Sequence, residues 1–301
     1  MAWSEVNLNR PKSIHPSEEK MPKASRFKSK DGGCEKEEYV VHPGFTPARF
    51  NYSQCRNPGR RLIALLYARL GLHRYNFLRG KSLQLGHITQ FTKTVHSAAS
   101  AYNITLKAKD PQETSGRRSP YQTFKAQVNE KKYGRLVLVC TSSGPPGEPK
   151  KCTTVNKVAK FMPELPPVNP FQDDTDRFRL LKKSEVLKNE WIRLYLQLAV
   201  ATSNRNHLEE GVANLKILKV AMEITPHLEE EEPFYKGLGA YDAIFYIRYK
   251  DPCKARAGDD VDRVAIVRRV VDVHLETFIL VGRTQTLTPA PSNEIAAMEA
   301  I

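Results

Sequence analysis

Arg60-Arg-Leu-Ile-Ala-Leu-Leu-Tyr-Ala-Arg-Leu-Gly-Leu-His-Arg-Tyr-Asn76 places Leu62, Ile63, Leu66, Tyr67 and Leu70 at three- and four-residue spacing, with Arg60, Arg61, Arg69 and Arg74 available to solvent. That spacing predicts an amphipathic helix with Gly71 as its weak point. From Tyr102 the period becomes two. Tyr102, Ile104, Leu106 and Ala108 share one face, and Asn103, Thr105, Lys107 and Lys109 the other, which is a half-buried strand. Asp110-Pro111 ends it, because proline brings no N–H to a ladder. Phe124, Ala126 and Val128 alternate with Gln122, Lys125 and Gln127, and Leu136–Thr141 supplies another short apolar run after a turn at Gly134. The expectation is an α+β fold: one helix packed on a curled antiparallel sheet.

The chain of 301 residues exceeds one typical domain. Residues 1–38 are polar and lysine-rich and read as a disordered basic tail. Residues 39–143 form the helix-and-sheet domain, within which Leu83–Phe91 is ambiguous. Gly144-Pro-Pro-Gly147 and Pro163-Glu-Leu-Pro-Pro-Val-Asn-Pro170 bracket a proline-rich linker over 144–184, with a short helix over Arg177–Leu187. Residues 185–282 read as a second, strand-rich antiparallel α+β domain. Its strands are Ile192–Val200, Leu218–Ile224, Ala243–Tyr249, Val264–Val271 and Val273–Val281, with a turn at Asp272. A flexible tail over 283–301 closes the chain. Lys109-Asp-Pro111 and Lys250-Asp-Pro252 each end an apolar strand, a hint of a repeated unit.

The formal net charge is +14, yet the basic residues fall in scattered doublets such as Arg117-Arg118, Lys131-Lys132 and Arg268-Arg269 with acids between them. A solvated surface is the plainer reading, and a nucleic-acid footprint the weaker one. Five cysteines, with no Cys-x-x-Cys pair, suggest neither a disulfide framework nor a zinc site. No apolar run reaches the length of a membrane span and no signal pattern opens the chain, so the expectation is an intracellular protein of nucleus or cytoplasm. The eight histidines form no metal-ligand spacing, there is no nucleophile elbow, and no glycine-rich loop opens a helix. Cys140 sits on an apolar strand as a small core residue, and His73 lies near a helix end where it caps or packs. No catalytic residue and no cofactor is assigned, and the chain is read as not an enzyme.

The helix followed by Tyr102–Pro111 and Tyr121–Glu130 resembles the cystatin/monellin arrangement. More specifically, Ala68-Arg-Leu-Gly-Leu-His-Arg-Tyr-Asn-Phe77, Asn189-Glu-Trp191, Ala243-Ile-Phe-Tyr-Ile247 and Ile266-Val-Arg-Arg269 are similar to the plant male-sterility-five family of cystatin-related, largely uncharacterised proteins. The likeness implies a role in reproductive development. It also raises cysteine-protease inhibition, which true cystatins perform with a Gln-x-Val-x-Gly hairpin and a Pro-Trp hairpin. Registering Ile104–Ala108 on the cystatin strand puts Val95, Ser97 and Ala99 at the first motif, and Lys131, Lys132 and Tyr133 occupy the second tip without Pro-Trp. These six residues are therefore candidate interaction loops rather than an inhibitory wedge. Past the paired arginines, Val270-Val-Asp-Val273 departs from the family's usual threonine and Asp-Gly turn. The expected function is a non-catalytic module that binds another macromolecule, in the first place a protein.

Overall fold

A computed structural model describes residues 47–94, 100–111, 120–146, 162–172, 177–204, 212, 214–224, 237–256, 258 and 262–287. The helix read from the leucine spacing is α1, Pro58–Arg79. Pro58 stands in its first turn and the Asn57 side chain accepts a hydrogen bond from Arg60 N at 2.8 Å. Gly80, at φ 59°, ends it in the left-handed region that only glycine adopts cheaply. Around it run β1 (Pro47–Asn51), β2 (Gln84–Thr94), β3 (Ala101–Lys109), β4 (Tyr121–Glu130) and β5 (Leu136–Gly144). The second half gives β6 (Arg179–Leu180), α2 (Lys183–Lys188), α3 (Glu190–Ser203), β7 (Lys216–Ile224), β8 (Asp242–Lys250), β9 (Arg263–Asp272) and β10 (Thr277–Thr286).

All ten strands join in one antiparallel sheet, in the order β1-β2-β3-β4-β5-β10-β9-β8-β7-β6. The residues expected as two domains, 39–143 and 185–282, thus share a sheet. They also share a core: Leu66, Tyr67 and Leu70 of α1, Tyr195 and Leu198 of α3, and the inward side chains of both sets of strands form one apolar cluster. The joint is the β5–β10 ladder, where Phe278 faces Cys140, Ile279 faces Val139 and Leu280 faces Leu138.

Each half repeats one order of elements: a short strand, a helical segment, then four strands in a meander. Both meanders carry a register shift at the same place, between Leu85 and His87 against β3 and between Ile217 and Lys219 against β8. The matched partners β3 and β8 are the strands that end in Lys-Asp-Pro. Counting from the bulges along the ladders makes Leu106 equivalent to Ile247, Ala126 to Val267, and Val139 to Ile279. Val139 and Ile279 face each other, so the two halves meet about a local two-fold axis through that pair.

Several expectations are corrected. Ile192–Val200 is helix α3, not a strand: Tyr195 and Ala199 are as fully buried as Leu194 and Leu198, and the polar Glu190, Arg193 and Gln197 recur at helical spacing. The described part of the linker is packed. Met162, Leu165 and Phe171, with Phe178, cover the outer face of the sheet over Val137, Ile279, Val264, Ile266 and Tyr246. Arg177–Leu187 gives β6 and only a short α2. Leu83–Phe91 resolves to β2. The β9–β10 turn lies after Asp272, whose side chain accepts from Leu275 N at 2.9 Å, so the last strand begins at Thr277 and runs four residues into the expected flexible tail, to Thr286. The 1–38 tail and 288–301 lie outside the described residues.

Arg74 does not face solvent. It is 3% exposed, and its guanidinium donates to the backbone carbonyls of Glu276 and Ser143, tying α1 to both strands of the joint. Gly71, weak by helix propensity, is where α1 comes nearest the sheet: a Cβ there would collide with Ala126 Cβ on β4. Gly71→Ala should gain about 1 kcal/mol of helix propensity and lose about 1–3 kcal/mol to overpacking. We expect a net fall in the urea midpoint that Ala126→Gly in the same chain largely restores. A midpoint raised by Gly71→Ala alone would show that the helix is free to move off the sheet.

Candidate functional site

The hairpin tip expected to interact is present in part. Lys131, Lys132 and Tyr133 fill the turn between β4 and β5, all exposed, with Tyr133 62% accessible and Gly134 at φ 71° shaping the turn. Val95, Ser97 and Ala99 lie outside the described residues, so the structure brings together only the second three of the six. A cleft of about 300 Å³ beside this turn is lined by Gly134, Arg135, Met162, Ser203, Arg283 and Thr284. That lining includes neither a carboxylate nor a histidine or cysteine that could serve as acid, base or nucleophile.

The side chains with chemical potential are drawn inward. His73 on α1 stacks on Trp191 of α3, lies edge-on to Phe278, and its Nε2 is 3.0 Å from Tyr195 Oη. Beside it, Arg269 of β9 is fully buried with Phe77, Trp191 and Phe245 rings 4.6, 5.1 and 5.3 Å from its guanidinium. One of its nitrogens donates to the carbonyls of Leu238 and Ala240, while Nε and Nη1 have no hydrogen-bond partner. Burial, and secondarily the Arg269 charge, hold the His73 pKa down to about 3. Cys140 is fully buried, and burial pushes its thiol up to about 11 against the pull of Arg74. His73 therefore packs and bonds to a tyrosine instead of capping its helix, and the Cys140 thiol stays protonated at neutral pH. Among the described residues no three His, Cys, Asp or Glu side chains gather as a metal site would require, and no helix is long and apolar enough to cross a membrane.

What the sequence reading passed over is the outer face of β1–β4, the side away from α1. The register aligns Arg49, Thr92, Asn103 and Gln127 in one row across it, Gln90, Thr105 and Lys125 in the next, His87, Lys107 and Thr123 in a third, and Gln84, Lys109 and Tyr121 in a fourth. The only acid in these four strands, Glu130, points to the core and accepts from Tyr67 Oη at 2.6 Å. Among the described residues Arg49, Lys107, Lys109 and Lys125 form no ion pair; Lys107 Nζ donates to Thr123 Oγ1 at 2.7 Å. The second half differs at equivalent positions. Tyr246, Val264, Ile266 and Ile244 stand where Thr105, Thr123, Lys125 and Asn103 stand in the first, and the chain's own Leu165, Phe171 and Phe178 pack over them. Three cations there are paired: Arg268 is bidentate to Asp242 at 2.8 and 2.5 Å, Arg248 pairs with Asp262, and Arg177 with Glu223, while Lys219 donates to the Phe171 carbonyl at 3.5 Å. The signal was in the sequence, as the Asn-x-Thr-x-Lys-x-Lys side of β3 and the Lys125 side of β4. Which neighbours extend it was not.

Fold and site together define a mixed α/β protein: a ten-stranded antiparallel sheet, backed by helices, with one half of its outer face cationic and uncovered by the described chain. A family model described as Protein MS5 matches residues 162–280. A UPF0725 protein of Arabidopsis thaliana is 54% identical over 43% of this chain and 70% of its own length. A second from that plant is 38% identical over 70% of this chain and 63% of its own length, and a third 42% identical over 56% of this chain and 92% of its own. The crystal structure of MS5 from Brassica napus aligns with a TM-score of 0.61 at 31% identity, covering 75% of this chain and 99% of that one. The chain belongs to the MS5 (UPF0725) family of uncharacterised plant proteins.

The half-buried His73 makes stability pH-dependent with a definite sign. The fold accepts only the neutral ring, whereas the unfolded chain takes up a proton as pH falls through about 6.5, so stability is lost below that value and continues to fall toward about 3. Between pH 6.5 and 5 this amounts to roughly 2 kcal/mol, at about 1.4 kcal/mol per unit. Urea melts at those two pH values should show wild type losing about that much more than His73→Gln. Equal losses would show that the ring titrates freely in the folded protein.

Proposed function

We propose that this chain is a non-catalytic module that binds another macromolecule through the outer face of β1–β4, and that it does so inside the cell. The observation that carries the reading is the contrast between halves. Where the second half places Tyr246, Val264 and Ile266 it covers them with its own chain; where the first places Thr105, Thr123 and Lys125 it leaves them at the surface beside Arg49, Lys107 and Lys109. A solvated cationic face whose described strand positions carry no outward acid complements an anionic partner and raises its rate of encounter. The sequestration of His73 and Cys140 supports a binding role over catalysis. The role in reproductive development implied by the family likeness is part of the same proposal, as is the cystatin/monellin likeness of the first half. Protease inhibition fits less well, since the exposed β4–β5 tip carries Lys131 and Lys132 and lacks the Pro-Trp pair.

Heparin chromatography of the full chain tests the face. Lys107→Glu with Lys125→Glu should elute at clearly lower salt than Lys183→Glu with Lys188→Glu, exposed lysines of α2 that change net charge equally. Equal shifts would mean that net charge alone binds, and the reading falls. For the tip, a fluorogenic-peptide assay against papain should show no inhibition at micromolar protein; stoichiometric inhibition would move the functional surface to Lys131–Tyr133.

A further inference from the structure

We infer that the outer face of β1–β4 is a platform for single-stranded nucleic acid, on which Tyr121 stacks a base while Arg49, Lys107, Lys109 and Lys125 meet phosphates. This deepens the binding-face reading above and rests on it. The charge argument alone would admit any polyanion. Three further features narrow the class.

The first is an aromatic ring held in place on a rigid strand. Tyr121 is 38% exposed on β4, and its ring reaches across β3 to lie over Gly86 in the β2 bulge. A Cβ at Gly86 would collide with Tyr121 Cε1 and come within 2.8 Å of Cδ1, so the glycine is what lets the ring settle against the sheet. His87, the next residue, flanks it with ring centroids 6.2 Å apart. Such a ring stacks on any base, at little further cost in side-chain entropy.

The second is the chemistry between the cations. Gln84, Gln90 and Asn103 present amides, and Thr92 and Thr105 hydroxyls, in the same rows as Lys109, Lys125 and Arg49. These groups both donate and accept, as the edges of unpaired bases require. A carboxylate-rich peptide, by contrast, would use the lysines and leave Tyr121 and the amides idle.

The third is shape. Lys107 and Lys109 project from the same side of one strand, about 6.6–7 Å apart by strand geometry, on the scale of successive phosphates of an extended strand. Among the described residues the face offers a sheet surface, with no helix or two-stranded ribbon standing out from it to enter a major groove. Splayed single-stranded bases over a sheet fit where a duplex does not.

The test is fluorescence anisotropy of the full chain with a short labelled oligouridylate, competed by a duplex of equal length and by polyglutamate. Oligouridylate should bind more tightly than either competitor. Tyr121→Ala should weaken it by about 5- to 100-fold, as for loss of one stacked base, with the salt slope unchanged, while Tyr121→Phe retains binding. Lys107→Gln with Lys125→Gln should reduce the slope of log K against log salt by about 1.4, at about 0.7 per phosphate contact. Wild-type affinity in Tyr121→Ala, equal competition by duplex or polyglutamate, or no binding of oligouridylate would each overturn the inference. If heparin retention still depends on Lys107 and Lys125 in that event, the binding face stands and only its ligand class is wrong.

Discussion

The pairing of β5 with β10 is the constraint on which the rest depends. Without it each half would be a short sheet with an open hydrogen-bonding edge, and such edges invite pairing with other chains. With it, the two edges satisfy each other about the Val139–Ile279 pair, and only the short β1 and β6 remain at the ends of the sheet. The joint is crowded in ways that select its residues. Gly282 lies opposite Leu136, and a side chain there would strike the Ile266 carbonyl of β9. Arg74 reaches from α1 to carbonyls at Glu276 and Ser143, so the helix of the first half is fastened to the last hairpin of the second.

Symmetry holds in the backbone and is broken by side chains on both faces of the sheet. On the inner face, Arg269 stands at the position equivalent to Val128, and the second half wraps that cation in Phe77, Trp191 and Phe245. A buried guanidinium with two nitrogens unbonded costs stability unless the rings and the Leu238 and Ala240 carbonyls compensate. Desolvation in this cluster, with the Arg269 charge as the lesser cause, suppresses protonation of His73, so the ring is neutral at neutral pH. On the outer face the break is the reverse. The second half is apolar and self-covered, and the first is polar, cationic and exposed.

Much of this was legible in the sequence. The stripe of Ile63, Leu66, Tyr67 and Leu70 marks α1, and period-two runs mark β3, β4 and β7, because each of those strands has one buried and one wet or partly covered side, while β5, β8 and β9, buried on both faces over much of their length, are marked by apolar runs. Ile192–Val200 misled because a helix buried between a sheet and α1 carries apolar residues nearly all round. Its even positions mimic a strand, while the discriminating stripe of Glu190, Arg193 and Gln197 is only three residues long. The prolines of 163–170 suggested a linker, yet a segment that lacks N–H donors is suited to lying across a sheet face without competing for its ladders. The union of the halves was not readable, since nothing local in β5 or β10 says which edge each will meet. For the same reason, Lys107, Lys109 and Lys125 were visible one strand at a time, but the Tyr121 ring over Gly86 depends on a bulge and a register that only the assembled sheet defines.

On the proposed reading the two outer faces have diverged, one sealed by the chain and the other open to a single nucleic-acid strand. Lysine acetylation footprinting by mass spectrometry reads this directly, residue by residue, with and without oligouridylate. Lys107, Lys109 and Lys125 should be modified in the free protein and protected by the oligonucleotide, while Lys183 and Lys188 should be modified equally in both. Protection spread evenly over all five, or confined to lysines away from β3 and β4, would contradict it.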